Sequence, residues 1–193
     1  MARAKFNPED FVAAALAIAA AQGPSAVTVA SVSERLGSPT GSFYYRFASR
    51  NLLLGALWLR IVENFQQGIV AALDAGDGLR AALHTPAWVR THPNEARLLL
   101  LYHRDDFIHG DWPDELRAQV AIMTQNMQSQ SECFAQLLFG AAGEEERRLA
   151  QFLLAEVPVA AVRQHVLLGE PPPKLVDDLI RVTYQAVVAA YRS

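Results

Sequence analysis

The sequence predicts an all-α chain, and three observations carry that prediction. Its 193 residues include 32 Ala and 24 Leu, both strong helix formers. Only 10 Pro and 11 Gly interrupt them. Between these interruptions the apolar residues recur every three or four positions, as on one face of a helix. With 51% apolar and 19% charged residues, the composition excludes a disordered chain, a collagen-like repeat and a sandwich of short strands. The longest unbroken apolar run, Phe11 to Ala21, is 11 residues. That is too short for the roughly 20 needed to cross a bilayer. No small-residue cleavage site flanks it, and the single cysteine, Cys133, leaves no internal disulfide and no multi-cysteine zinc site. The expected location is the cytoplasm, with no membrane contact.

The elements follow in order. Asn7 is a good N-cap, Pro8 suits the first helical position, and Glu9 and Asp10 place negative charge at the positive helix end. Phe11, Val12, Ala15, Leu16 and Ala19 then form one buried stripe, which Gly23-Pro24 stops. A second helix opens at the N-cap Thr28, buries Val29, Val32 and Leu36, and ends at Gly37. Ser38-Pro39 reads as another N-cap with a first-turn proline, leaving a third helix only Thr40 to Tyr45 before Phe47. A long helix over about 49–73 carries Leu53, Leu57, Ile61 and Phe65, and Gly76-Asp77-Gly78 breaks it. Further helices are predicted over 79–91, 94–105, 113–139 (opening at Trp112-Pro113), 144–168 with a kink at Pro158, and 173–192. There is no internal repeat. The organisation is an N-terminal three-helix unit, residues 1–50, joined without a compositional linker to a helical bundle, residues 51–193.

Charge divides along the same line. The net charge of −3 argues on its face against nucleic acid. Yet residues 1–60 hold six basic against three acidic residues, a net of +3, and the remainder holds eleven against seventeen, a net of −6. A Debye length of about 8 Å hides the distant acids from a phosphate backbone meeting the basic segment.

Two short helices joined by a tight glycine turn make a helix-turn-helix, whose second helix enters the major groove. Gly41 inside that helix costs about 1 kcal/mol relative to alanine, so something must favour a missing side chain there. Close approach to a phosphate or base edge supplies a reason. Thr40 and Ser42 are small and polar, suited to groove contact. Tyr44 and Tyr45 are adjacent and cannot share one core, so at least one hydroxyl faces outward toward phosphate or base. Phe43 and Phe47 belong to the unit's own core.

The run Ser38-Pro39-Thr40-Gly41-Ser42-Phe43-Tyr44-Tyr45-Arg46-Phe47, then Ser49-Arg50, after the helices ending at Gly23 and Gly37, resembles the DNA-binding domain of TetR-family transcriptional regulators. The likeness covers about a quarter of the chain. Pro39 and Thr40 stand where the family pattern often has a small hydroxyl residue and a lysine, and Arg46 stands where histidine is common. The resemblance implies that Thr28, Tyr45 and Arg50 hold phosphates, while Ser38, Thr40, Ser42 and Tyr44 lie in or beside the groove with Gly41. Arg46 joins them as a basic residue, and Arg3 and Lys5 lie in an N-terminal arm.

The bundle carries bulky residues able to line an apolar small-molecule site: Trp58, Trp88, His103, Phe107, Met123, Asn126, Met127 and Phe134 are the candidates. On the final helix, Leu175, Leu179, Val182 and Ala186 form one stripe and Val176, Ile180, Val187 and Tyr191 a second, more apolar face than one core needs. By resemblance the last two helices form a homodimer interface, with Phe152, Val162, Val166, Leu179, Val182 and Ala186 as candidate contacts.

Enzymatic readings find little. His103, Asp106 and His109 are the one tempting metal cluster, without a HExxH pattern or a second ligand group. No phosphate-cradling glycine loop or nucleophile elbow occurs, and Cys133 has no evident base. No cofactor or metal is expected. The expected function is a homodimeric, ligand-responsive regulator, most often a repressor in that family. It would bind a palindromic DNA operator and be released by a small apolar effector. The alternative is a helical carrier or enzyme with a vestigial DNA-binding module.

Overall fold

The computed structural model describes residues 6–107 and 113–191, and the segments discussed above that contain Arg3, Lys5, His109 and Trp112 lie outside them. Twelve α-helices and no strand occur among the described residues. The first three, α1 (Pro8–Gln22), α2 (Val29–Leu36) and α3 (Thr40–Tyr44), start where capping chemistry directs. Asn7 Oδ1 accepts from the Asp10 amide at 2.9 Å, and Asp10 Oδ2 accepts from the Asn7 amide at 2.7 Å. Thr28 and Ser31 exchange the same reciprocal pair at the head of α2. Gly37, at φ 60°, closes α2, and the Ser38 amide reaches back to the Ser33 carbonyl at 2.9 Å.

α4 (Arg50–Asp74) is the spine, capped by Ser49 Oγ on the Leu52 amide at 3.2 Å. Its inward stripe, Leu53, Leu54, Leu57 and Ile61, is almost wholly buried. One apolar cluster runs from Phe11, Ala15 and Ala19 of α1 along this stripe to Leu98, Val162 and Ile180 near the far end of the chain. The N-terminal unit therefore has no core of its own that stops at residue 50. A second cluster, Phe134, Leu138 and Phe139 against Ile69, Leu73 and Leu153, closes the other end of α4.

The middle helices are more broken than periodicity predicts. The stretch 79–91 is two helices, α5 (Gly78–Ala82) and α6 (His84–Thr91), parted at Leu83. Pro86 has no N–H to give the Ala82 carbonyl, so the helix restarts to place Pro86 in a first turn, where that donor is not needed. The stretch 94–105 likewise becomes α7 (Pro93–Leu101) and the single turn α8 (Arg104–Phe107), parted by extended Tyr102. α9 (Asp114–Phe139) ends at Gly140, and α10 (Glu144–Gln151) leads into a π-helical turn, Phe152–Glu156. α11 (Val157–Leu168) continues directly, so 144–168 is one element. The expected disturbance at Pro158 takes the form of that wide turn, in which the Val157 amide donates to Phe152 five residues back. α12 (Lys174–Tyr191) is docked by Arg90, which donates to the Pro172 carbonyl at 2.8 Å and pairs with Asp177 at 3.0 Å.

Along the contact of α6 with α4, Phe65 meets His84 at 5.2 Å and Trp88 at 5.0 Å, and His92 stacks on Trp88. Trp88 Nε1 donates to Asn64 Oδ1 at 2.7 Å. Burial pushes the His84 pKa down; a hydrogen bond to the Phe65 backbone opposes this, and the neighbouring His92 reinforces it. The unfolded chain, with an ordinary histidine near 6.5, then binds more protons than the folded one as pH falls through that value. Acidification from about pH 7.5 to about 5.5 is expected to lower Tm more in the wild type than in His84→Gln. Equal acid sensitivity in calorimetry of the two proteins would contradict this.

Candidate nucleic-acid interface

α3 has five residues, and only Phe43 is buried. Its ring sits edge-on to Phe11 at 6.0 Å and against Phe47 at 6.1 Å, which nails the short helix to α1. Everything else on α3 is at least partly open. Thr40 and Gly41 are exposed, Tyr44 is 57% exposed and Tyr45, just past the helix end, 85%. Among the described residues no intramolecular hydrogen bond engages the hydroxyls of Thr40, Tyr44 or Tyr45. A Cβ on Gly41 would meet nothing within 4 Å. The fold itself therefore gives no reason for glycine at this helical position.

The remaining candidates divide differently from the sequence reading. Pro39, not Ser38, occupies the N-cap position of α3, and no side chain caps that helix. Ser38 Oγ is buried without a partner, so this hydroxyl does not reach outward as expected of a groove contact. Ser42 is half-buried, and its carbonyl accepts from Arg46 Nη1 at 2.8 Å. Thr28 is exposed, but its Oγ1 is spent on the Ser31 amide, which leaves helix-end backbone rather than hydroxyl to face an anion.

The two arginines do not stand free as phosphate ligands. Arg50 donates through Nε to the Val27 carbonyl and through Nη2 to the Pro24 carbonyl at 2.9 Å, pinning the α1–α2 loop. Arg46 donates to the Phe6 carbonyl and lies 5.5 Å from the centres of both the Phe11 and Tyr45 rings. Each side chain is thus a clamp. The acceptors are neutral carbonyls, so both positive charges survive to act on an approaching polyanion. Sequence reasoning missed these clamps because the carbonyls of Phe6, Pro24 and Val27 that they hold lie 23 to 40 residues away.

The expected small-molecule residues do not share one lining. Phe107 and Met123 are buried and Trp58 packs on Phe107 at 4.9 Å, all within the larger apolar cluster, as is Trp88. Phe134 belongs to the second cluster instead. His103, Asn126 and Met127 are exposed, because α8 is a single turn and α9 turns that face outward. An open groove of about 530 Å³ does lie between α4, α5, α6 and α12, and none of the eight lines it. Among the described residues no three His, Cys, Asp or Glu side chains stand together as a metal site. None of their helices is long and apolar enough to span a membrane.

The candidate dimer residues also separate. Val162 and Val166 are buried in the protomer's own core and cannot meet a partner. Phe152 is half-buried against the second cluster. Leu179, Val182 and Ala186 do face outward, and exposed Leu175 and Ala189 extend them at alternating four- and three-residue spacing.

Residues 11–57 match the family model described as bacterial regulatory proteins, tetR family. No curated protein matches the sequence. Among solved structures, a candidate tetR family transcription regulator from Shewanella sp. PV-4 is 20% identical, with a TM-score of 0.59 over 96% of each chain. A transcriptional regulator from Rhodococcus sp. Rha1 is 16% identical, with a TM-score of 0.67 over 97% of this chain and 99% of that one. The tetR-family match is confined to the N-terminal helices, and the likeness to the two solved structures shows a fold shared over nearly the full length.

Proposed function

We propose that the protein is a ligand-responsive transcriptional repressor acting in the cytoplasm. It binds a palindromic operator as a homodimer and releases it when a small apolar effector enters the bundle. Residues 1–50 read DNA, and residues 51–193 hold partner and effector. The observation that carries this reading is the unpartnered polar face of α3, with three free hydroxyls around a glycine that the fold does not require. On that face Thr40, Gly41 and Tyr44 meet the major groove, and Tyr45 and the amide end of α2 meet phosphate.

The outward stripe of α12 supports the dimer. A seam of Leu175, Leu179, Val182, Ala186 and Ala189 leaves large apolar surface in water unless a second copy covers it. A twofold pair would set two α3 helices about one DNA turn, ~34 Å, apart. In this reading the effector lies against the larger apolar cluster, and the apolar side chains of Trp58, Phe107 and Met123 support that position. Its route to DNA is short. Tyr102, between α7 and α8, packs on the loop that ends α1, its hydroxyl 3.3 Å from where a Cβ of Gly23 would sit. A ligand that moves α7 and α8 therefore moves α1, and effector and operator weaken each other's binding by one common factor.

Selection from a random duplex pool by the purified protein is expected to return an inverted repeat, with affinity falling steeply as salt rises. Enrichment of no motif, or a shallow salt slope, would refute the reading. Against the selected site, Tyr44→Ala and Gly41→Leu are expected to lose at least about tenfold in affinity while helicity and Tm stay near wild type. Arg50→Ala is expected to differ in kind, losing about 2 kcal/mol of stability with its two charge-assisted hydrogen bonds. Unchanged Tm in Arg50→Ala would show that the clamp is not structural. Leu179→Asp is expected to sediment as a monomer and to bind the repeat weakly; a stable dimer would remove α12 from the interface.

A further inference from the structure

Gly68 lies deep inside α4, where glycine costs about 1 kcal/mol relative to alanine. Here, unlike at Gly41, the fold supplies the reason. A Cβ would stand 2.0 Å from Cε1 of His84 and 2.4 Å from its Nδ1, so the missing side chain lets the imidazole lie flat on the helix. The ring forms one wall of the open groove of about 530 Å³, whose apolar floor includes Ala71, Leu83 and Ala87. Two arginines, Arg80 of α5 and Arg181 of α12, line the same groove. Its one acid, Asp77, is already engaged as the cap of α5, accepting from the Arg80 amide at 2.9 Å. Arg80 spends one Nη2 hydrogen on the Ala71 carbonyl, and Arg181 is exposed with no partner among the described residues.

We propose that this groove is a binding site for an amphipathic organic anion, a carboxylate on a short apolar body, separate from both the helix-turn-helix and the apolar contacts around Trp58, Phe107 and Met123. The carboxylate bridges Arg80 and Arg181, where planar guanidinium groups offer paired donors. The apolar body lies over Ala71, Leu83 and Ala87 against the face of His84. That face is uncharged at neutral pH, since burial pushes the His84 pKa below its ordinary value. Two cations facing one engaged acid disfavour a cationic ligand, and the apolar floor disfavours a bare inorganic anion. Because Arg181 comes from the middle of α12 and Arg80 from α5, occupancy ties these two helices together.

The test uses the whole chain without DNA, so its outcome is independent of operator binding. Octanoate is titrated at about pH 7.5 while the Cε1 proton of His84, assigned by its absence from His84→Gln, is followed by NMR. The expected result is a saturable shift for octanoate, an affinity at least tenfold weaker in Arg181→Glu, and far weaker binding of the neutral amide of the same chain length. Arg181 is exposed and unpartnered, so Arg181→Glu is expected to keep its helicity, which circular dichroism checks. No saturable shift up to about 10 mM octanoate, an unchanged affinity in Arg181→Glu, or equal binding of the amide would each overturn the proposal.

Discussion

A five-residue helix has no stability of its own in water, where even favourable sequences need about 12 to 15 residues. α3 exists because Phe43 is buried between Phe11 and Phe47 and because Arg46 and Arg50 tie the chain on its C-terminal side to carbonyls of Phe6, Pro24 and Val27. The exposed face of α3 depends on that anchorage. One aromatic ring supplies the hydrophobic hold, and two guanidinium groups fix the orientation. The helix can then leave Thr40 and Gly41 to solvent, while the Tyr44 ring packs edge-on against Phe43 at 5.4 Å and stays largely exposed. Holding the module with arginines bound to neutral carbonyls also leaves it basic, as carboxylate partners would not.

Local chemistry made most of the fold legible. Asn7 and Thr28 cap the helices they were expected to cap, Ser38 does not, and Gly23, Gly37, Gly140 and Gly169 end theirs. Such signals act within a few residues, so a sequence displays them directly. What stayed hidden lay in tertiary placement. Pro86 was readable as a helix breaker, yet the predicted 79–91 helix ran through it. Nothing in the spacing of α9 says which of its faces meets α4, so Asn126 and Met127 were expected inside and lie outside. Val162 and Val166 were expected at the dimer interface by resemblance, but they are buried in the protomer's own core. At the candidate interface, exposure of Tyr44 and Tyr45 follows from their adjacency. The clamping roles of Arg46 and Arg50 do not, because nothing local marks a distant carbonyl as a partner.

The apolar cluster gives the molecule its mechanical character. It continues from α1 through α4 and α7 to α11 and α12 without a break, so movement at the bundle cannot be absorbed in a flexible joint. Close-packed interiors transmit displacement rather than damp it. The breaks at Leu83 and at Tyr102 to His103, and the wide turn before Pro158, are the places where helices can shift relative to α4 while their buried faces stay covered.

Gly41 sets a limit on how far this protein's stability can be improved without loss. Ranked by helix propensity alone, replacing it with alanine is among the first changes to try, because the site has room and the gain is about 1 kcal/mol. In the proposed reading, the empty space that makes the change look harmless is the space a duplex fills. On that reading, selection for a more robust fold and selection for tight contact with a partner oppose each other at this one position.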